Sequence, residues 1–320
     1  MNNRLSRRDV LKTIAGAAAA SFFDLPTLQA APKETPQSFR FVHLTDIHVQ
    51  RERHGHEGFA KALKAVEALK PRPDFILTGG DLVFDVLEVP HERATMLFDL
   101  YQKVIADNTS LKVYNTIGNH DVFGWHPQSG ISPKTAGYGK ALVKDKLQLN
   151  EIYHAFEHKG WRFFCLDNIL PGGDERYPYL GGLDPVQFDW FKAELQKTDP
   201  KTPIVTCEHI PLITVTGFGH DDLHEDKHWR FNDALVCGDT AQRLPLLRTR
   251  NVCLALSGHI HERDRVDYWG TTFINDGAVC GGWWKGPHRG IPEGFGIFDL
   301  RADGTFDYRY HEYGWKPQPD

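Results

Sequence analysis

The sequence predicts an α/β protein, and three observations carry that prediction. Apolar strand-like runs alternate with segments of helical period along most of the chain. Five of those runs end in Asp, Asn or His, and in α/β sheets sites gather beyond the carboxyl ends of strands. The 320 residues are 41% hydrophobic and 25% charged, a globular composition with enough length to bury a sizeable core. Disordered, collagen-like and coiled-coil chains are excluded on the same numbers. A net charge of −5 without a basic run argues against a nucleic-acid partner.

Residues 1–30 read as an export address. Ser6-Arg7-Arg8-Asp9-Val10-Leu11-Lys12 is a twin-arginine pattern, followed by the weakly apolar stretch from Thr13 to Phe23. That stretch is too short to span a bilayer, which takes ~20 residues. Ala30 is a plausible cleavage point. Removal of 1–30 leaves 33 basic and 40 acidic residues and a net charge of −7. The expectation is a bacterial periplasmic or secreted protein, delivered by the twin-arginine machinery, with no stable membrane insertion after processing.

The remainder, 31–320, reads as one domain without internal repeats or linkers, with a β-rich C-terminal portion at 263–320. After a Pro-rich leader at 31–38, Phe39 to Leu44 is a strand running into Thr45-Asp46-Ile47-His48. Phe59, Leu63, Val66 and Leu69 have helical spacing. Asp74 to Leu77 is a short strand before Thr78-Gly79-Gly80-Asp81, and His91 to Ile105 reads as a helix. Lys112 to Ile117 is a strand ending in Gly118-Asn119-His120-Asp121. Residues 124–146 show no period and read as a long loop. Tyr153 to Phe156 and Trp161 to Asp167 look like a strand pair. Asp184-Pro185-Val186-Gln187 supplies an N-cap, a first-turn proline and a capping-box partner for a helix to Lys197. Ile204 to Glu208 is a strand ending at His209. Thr240 to Arg250 is helical, with Pro245 signalling a break. Val252 to Leu256 is a strand before Ser257-Gly258-His259-Ile260-His261. Two hairpins follow, Val266 to Phe273 and Phe295 to Tyr310, the second turning at Ala302-Asp303-Gly304.

The five strand ends gather two carboxylates, one amide and four imidazoles: Asp46 and His48, Asp81, Asn119, His209, and His259 and His261. That inventory can hold two divalent ions if one carboxylate bridges. Oxygen donors mixed with imidazoles suit zinc, manganese or iron. Residues two apart on an extended strand point the same way, so Asp-x-His or His-x-His can chelate one centre. The five cysteines form no CxxC pair, which disfavours a cysteine zinc site. Cys165, Cys207 and Cys253 sit in apolar runs as small hydrophobes, while a disulfide using Cys237 or Cys280 stays open.

The ordered set Asp46-x-His48, Gly80-Asp81, Gly118-Asn119-His120-Asp121, His209 and Gly258-His259-x-His261 resembles the calcineurin-like metallophosphoesterases over about residues 39–262. The resemblance implies a four-layer αββα sandwich with two central mixed sheets and a dimetal site at the strand ends. It implies a first ion held by Asp46, His48, Asp81 and His261, and a second held by Asp81, Asn119, His209 and His259, with Asp81 bridging. The cofactors are then two divalent transition-metal ions, Mn, Fe or Zn, with a hydroxide between them as nucleophile. His120 is implied as general acid and Asp121 as the carboxylate that orients it. Purple acid phosphatases carry a tyrosine ligand three residues past the bridging aspartate. Phe84 stands there in this chain, so their charge-transfer colour is not expected.

The expected substrate is a small-molecule phosphodiester or phosphomonoester. A cyclic nucleotide is one alternative, and a catalytically silent metal-binding scaffold is another. A nuclease of the same superfamily is disfavoured by the negative charge. Three segments could wall the pocket: 51–57, the histidine-rich 217–229, and 280–289. Trp283 and Trp284 could stack on a nucleobase, sugar or acyl chain, with Lys285 and Arg289 holding a second anion. Equally, the tryptophans could plug the gap between the C-terminal hairpins and the rest of the domain.

Overall fold

A computed structural model describes residues 38–219 and 232–318. The export address and most of the histidine-rich 217–229 segment lie outside the described residues. In chain order the first strands and helices are β1 (Phe39–Leu44), α1 (Gly55–Ala68), β2 (Phe75–Thr78), α2 (His91–Asn108), β3 (Lys112–Tyr114) and α3 (Ala141–Lys146). Next come β4 (His154–His158), β5 (Trp161–Cys165), β6 (Ile169–Pro171), β7 (Tyr179–Gly181), α4 (Pro185–Lys197) and β8 (Ile204–Cys207). The chain closes with α5 (Thr240–Leu247), β9 (Val252–Ser257), β10 (Asp264–Tyr268), β11 (Thr271–Asn275), β12 (Gly294–Leu300) and β13 (Phe306–Glu312).

Two mixed sheets result, with orders β13-β12-β1-β2-β3 and β10-β11-β9-β8-β5-β4. Alternation along the strands builds the layers. Phe39 and Phe41 of β1 pack between the sheets with Phe163, Val205, Leu254 and Phe298. Val42 and Leu44 of the same strand face the other way, against Phe59 and Leu63 of α1 and Phe98 and Tyr101 of α2. The outer face of the second sheet packs Phe164 and Ala255 against Phe191 and Leu195 of α4 and Leu247 of α5. Helices, sheet, sheet and helices make four layers, as expected. Among the described residues no helix is long and apolar enough to cross a membrane.

Parallel pairing aligns the strand ends. β1, β2 and β3 run parallel in one sheet, and β5, β8 and β9 run parallel in the other. The five polar blocks therefore leave their strands at one edge of the sandwich. The C-terminal strands are integral to both sheets: β11 pairs with β9, and β12 with β1. Asp184 caps α4 by accepting from the Gln187 amide at 2.8 Å. Residues 124–146 are more ordered than their composition signals. They hold a 3-10 turn at Pro127–Ser129, a bridge between Phe123 and Gly139, and α3, whose Leu142 and Val143 are buried. All five cysteines are free thiols, and four are buried.

Candidate functional site

The structure brings Asp46, His48, Asp81, Asn119, His209, His259 and His261 into one cluster. Around Asp46 stand His261 Nε2, 3.3 Å from Oδ1, and the His48 ring, whose Nε2 is 3.2 Å from His261 Nε2. Around Asn119 Oδ1 stands His209 Nε2 at 3.1 Å, with His259 Nδ1 3.2 Å beyond it. Asp81 Oδ2 lies between the two groups, 3.4 Å from His48 Nε2 and 3.1 Å from His209 Nε2. Two four-residue donor sets share one carboxylate.

Local conformation explains the convergence. Asp46, His48, Asp81, His259 and His261 all have positive φ, between 44° and 73°. Such angles are costly for non-glycine residues and persist where surroundings impose them. They are also the bent strand end that His259 and His261 need. The chain turns at both residues, so this His-x-His pair divides between the two donor sets. Gly118 and Gly258 permit the close approach. A Cβ at Gly118 would press on the Asp81 carboxylate, and one at Gly258 on Thr45 and Asp46.

The residues present fit metal ions. His48 Nδ1 donates to the Phe84 carbonyl at 3.0 Å, and His259 Nε2 to the Ala234 carbonyl at 2.9 Å. Burial pushes both imidazoles down to about 3, so each is neutral with its lone pair facing the cluster. With the Asp46 and Asp81 carboxylates and the Asn119 amide oxygen they form an oxygen and imidazole donor set that suits a divalent cation. Burial works to raise Asp46 and Asp81, but the facing imidazoles outweigh it and hold both below the usual carboxylate range. Burial would lower His209 and His261, yet the same carboxylates outweigh it; His209 rises to about 9, and His261 well above its ordinary value. The bare protein thus draws protons to balance two buried anions. Metal binding would release them.

His120 sits at the edge of the cluster. Burial would lower its imidazole, but Asp81 and Asp85 raise it to about 9. The carboxylate beside His120 Nδ1 is Asp85, at 3.4 Å, and not Asp121. Asp121 instead accepts from the backbone amides of Leu82, Val83 and Gly118 at 2.8 to 3.2 Å. It ties the Asp81 loop to the Asn119 loop. Three amides aimed at one buried carboxylate leave it no geometry for orienting His120. Asp85 is missed by motif reading, although its place four residues past Asp81 was the available signal.

The tryptophan pair divides. Trp283 lines a cavity of about 200 Å³ with Asp81, His120, Tyr177, Tyr179, His259 and others. Trp284 is fully buried, packs against α1 beside Gly55 and Gly58, and donates Nε1 to the His48 carbonyl at 2.9 Å. It is a plug and cannot contact substrate. The Tyr177–Tyr179 wall comes from the β6–β7 hairpin, which the sequence signals only through Pro171-Gly172-Gly173. Tyr179 stands edge-on to His259, and Trp283 lies against His48 and His261. A buried set behind His209 is also new: Arg243 pairs with Glu208, and Asn168 Oδ1 accepts from the amides of His209 and Ile210.

Known proteins share this fold. Residues 39–263 match the calcineurin-like phosphoesterase family. A 3′,5′-cyclic-nucleotide phosphodiesterase of Nostoc sp. (strain PCC 7120) is 24% identical over 282 residues, 83% of this chain and 89% of that protein. The DNA double-strand break repair protein Mre11 of Nanoarchaeum equitans is 25% identical over 206 residues, 56% of this chain and 55% of its own length. Among solved structures, a dimetal phosphatase from Danio rerio aligns with a TM-score of 0.56 at 15% identity, over 86% of this chain and 99% of that one. GAP50 of Plasmodium aligns with a TM-score of 0.52 at 15% identity, over 86% and 85%. Such identities establish a shared fold, and the family match adds the chemistry: this chain belongs to the calcineurin-like phosphoesterases and is a dimetal hydrolase of phosphoric esters.

Proposed function

We propose that the chain hydrolyses a small-molecule phosphodiester, with cyclic nucleotides the first class to examine. The carrying observation is the shared Asp81 carboxylate between two donor sets whose neutral imidazoles have lone pairs turned inward. Asp46, His48, Asp81 and His261 would hold one ion, and Asp81, Asn119, His209 and His259 the other. The ions, Mn, Fe or Zn, would supply Lewis-acid polarisation of the phosphoryl group and a water of lowered pKa. His120, beside the Asp85 carboxylate at 3.4 Å, donates the proton to the leaving oxygen. Tyr177, Tyr179 and Trp283 offer flat surfaces to a planar ester arm. The Nostoc relative's cyclic-nucleotide activity supports that arm being a nucleoside.

The test sets a chromogenic phosphodiester, the matching monoester and a 3′,5′-cyclic nucleotide side by side, on protein verified to carry two ions. Diester turnover is expected, with kcat lower by ~10²–10⁴-fold in His120→Ala and both ions retained. Monoester preference would overturn the diester assignment. Undiminished kcat in His120→Ala would overturn the acid role. We also infer export, on the Ser6–Lys12 pattern. Recovery from the exported fraction, cut near Ala30, is expected; an uncut cytosolic chain would refute it.

A further inference from the structure

The loop after β11 touches every ligand candidate peculiar to one donor set and none peculiar to the other. Cys280 N–H donates to the Asp46 carbonyl at 3.1 Å. The Gly281 carbonyl accepts from His261 Nδ1 at 2.7 Å. Trp284 Nε1 donates to the His48 carbonyl at 2.9 Å. The Trp283 indole covers the rings of the same two histidines, with centroids 3.9 Å from His48 and 5.3 Å from His261. The other set is held elsewhere: His209 Nδ1 bonds the Gly79 carbonyl and His259 Nε2 the Ala234 carbonyl.

The loop is itself firmly set. Trp283 and Trp284 are consecutive residues of positive φ, 58° and 67°. Two bulky side chains adopt that conformation only where packing imposes it. Trp284 is locked under α1, and the turn closes through Trp284 N–H to the Cys280 carbonyl and Gly282 N–H to the Gly286 carbonyl. With Trp284 fixed, the Trp283 indole lies across the imidazoles of His48 and His261.

We propose that segment 279–284 is a clamp on the first metal centre alone, and that Trp283 is the positioning residue through which it sets that centre's affinity. The proposal rests on the two-ion reading above. Fixing ligand rings in their binding orientation removes ordering cost from metal uptake, and partners of this kind are worth ~10–100-fold in affinity. The two centres share Asp81, but their remaining ligands are held by different segments, the second set by the backbone around Gly79 and Ala234.

Zn²⁺ titration of the full chain against a chromogenic chelator tests this in two backgrounds. His209→Ala leaves the first centre as the tighter site, and His261→Ala leaves the second. Trp283→Ala should weaken the remaining ion ~10–100-fold in the His209→Ala background and leave it unchanged in the His261→Ala background. Trp283→Phe, which keeps an aromatic face, should recover most of the loss. Equal weakening in both backgrounds, or none in either, overturns the clamp. A wild-type chain binding fewer than two ions would instead overturn the dimetal reading, and the clamp with it. Thermal unfolding of each variant separates a local change from a global one.

Discussion

Replacing Gly58 by alanine sets two effects of opposite sign against each other. Gly58 lies inside α1, where a glycine costs ~1 kcal/mol relative to alanine, so helix propensity alone predicts stabilisation. The new Cβ, however, would stand 2.8 Å from Cε3 and 2.9 Å from Cη2 of Trp284, with Cζ3 closer still. That ring cannot retreat. It is fully buried, meets Trp315 edge-on at 5.7 Å, and is bonded to the His48 carbonyl. Overpacking costs ~1–3 kcal/mol, and a contact this short against a pinned ring belongs at the upper end. The balance is a loss of ~2 kcal/mol. At ~2–4 °C per kcal/mol for a domain of this size, the Tm should fall by ~4–8 °C. Circular-dichroism melting measures it. A Tm equal to or above wild type would show that propensity wins and that Trp284 is free to move. Trp284 would then not anchor the tryptophan loop.

Two further outcomes follow from buried charges. His43 Nδ1 lies 2.8 Å from Asp276 Oδ2 between the sheets; burial opposes its charge, but Cys207 and Asp276 outweigh that and raise it to about 10. A raised folded-state value gives stability that is complete below about 6.5 and lost as pH rises through about 10. Urea unfolding at pH 7 and 9.5 should show that decline in wild type and a shallower one in Asp276→Asn; an identical slope would refute the assignment. Arg243→Met should cost ~3–5 kcal/mol in urea unfolding, because it strands Glu208 as an unpaired buried carboxylate. A loss under ~1 kcal/mol would show that Glu208 is neutralised or hydrated without Arg243.

Much of the site was legible because its chemistry is local. Strand, turn and donor residue fall within eight or so positions in each block, so alternation and side-chain type suffice to find Asp46, His48, Asp81, Asn119, His209, His259 and His261. The Asp184 cap was legible for the same reason. Asp85 and the Tyr177–Tyr179 wall were fainter, because the only signals are the spacing of Asp85 from Asp81 and the turn at Pro171-Gly172-Gly173. The α3 turn within 124–146 was hidden too, since six residues are too few to show a period.

Which residues meet, and what they can ligate, follows from the order of strands and donor types along the chain. Parallel strands carry their ends to one edge of the sandwich, and donor type does the rest. Tertiary structure decided the direction of each side chain. Trp283 and Trp284 are adjacent and identical, yet one faces the cavity and the other is sealed under α1, because Gly55 and Gly58 leave room for a single indole. Asp121 and Asp85 divide likewise: three backbone amides claim the first, and His120 is left to the second. His259 and His261 part company because positive φ turns the chain between them. For the tryptophans and for the Asp85–His120 pair the deciding contacts are distant in sequence, where periodicity carries no information.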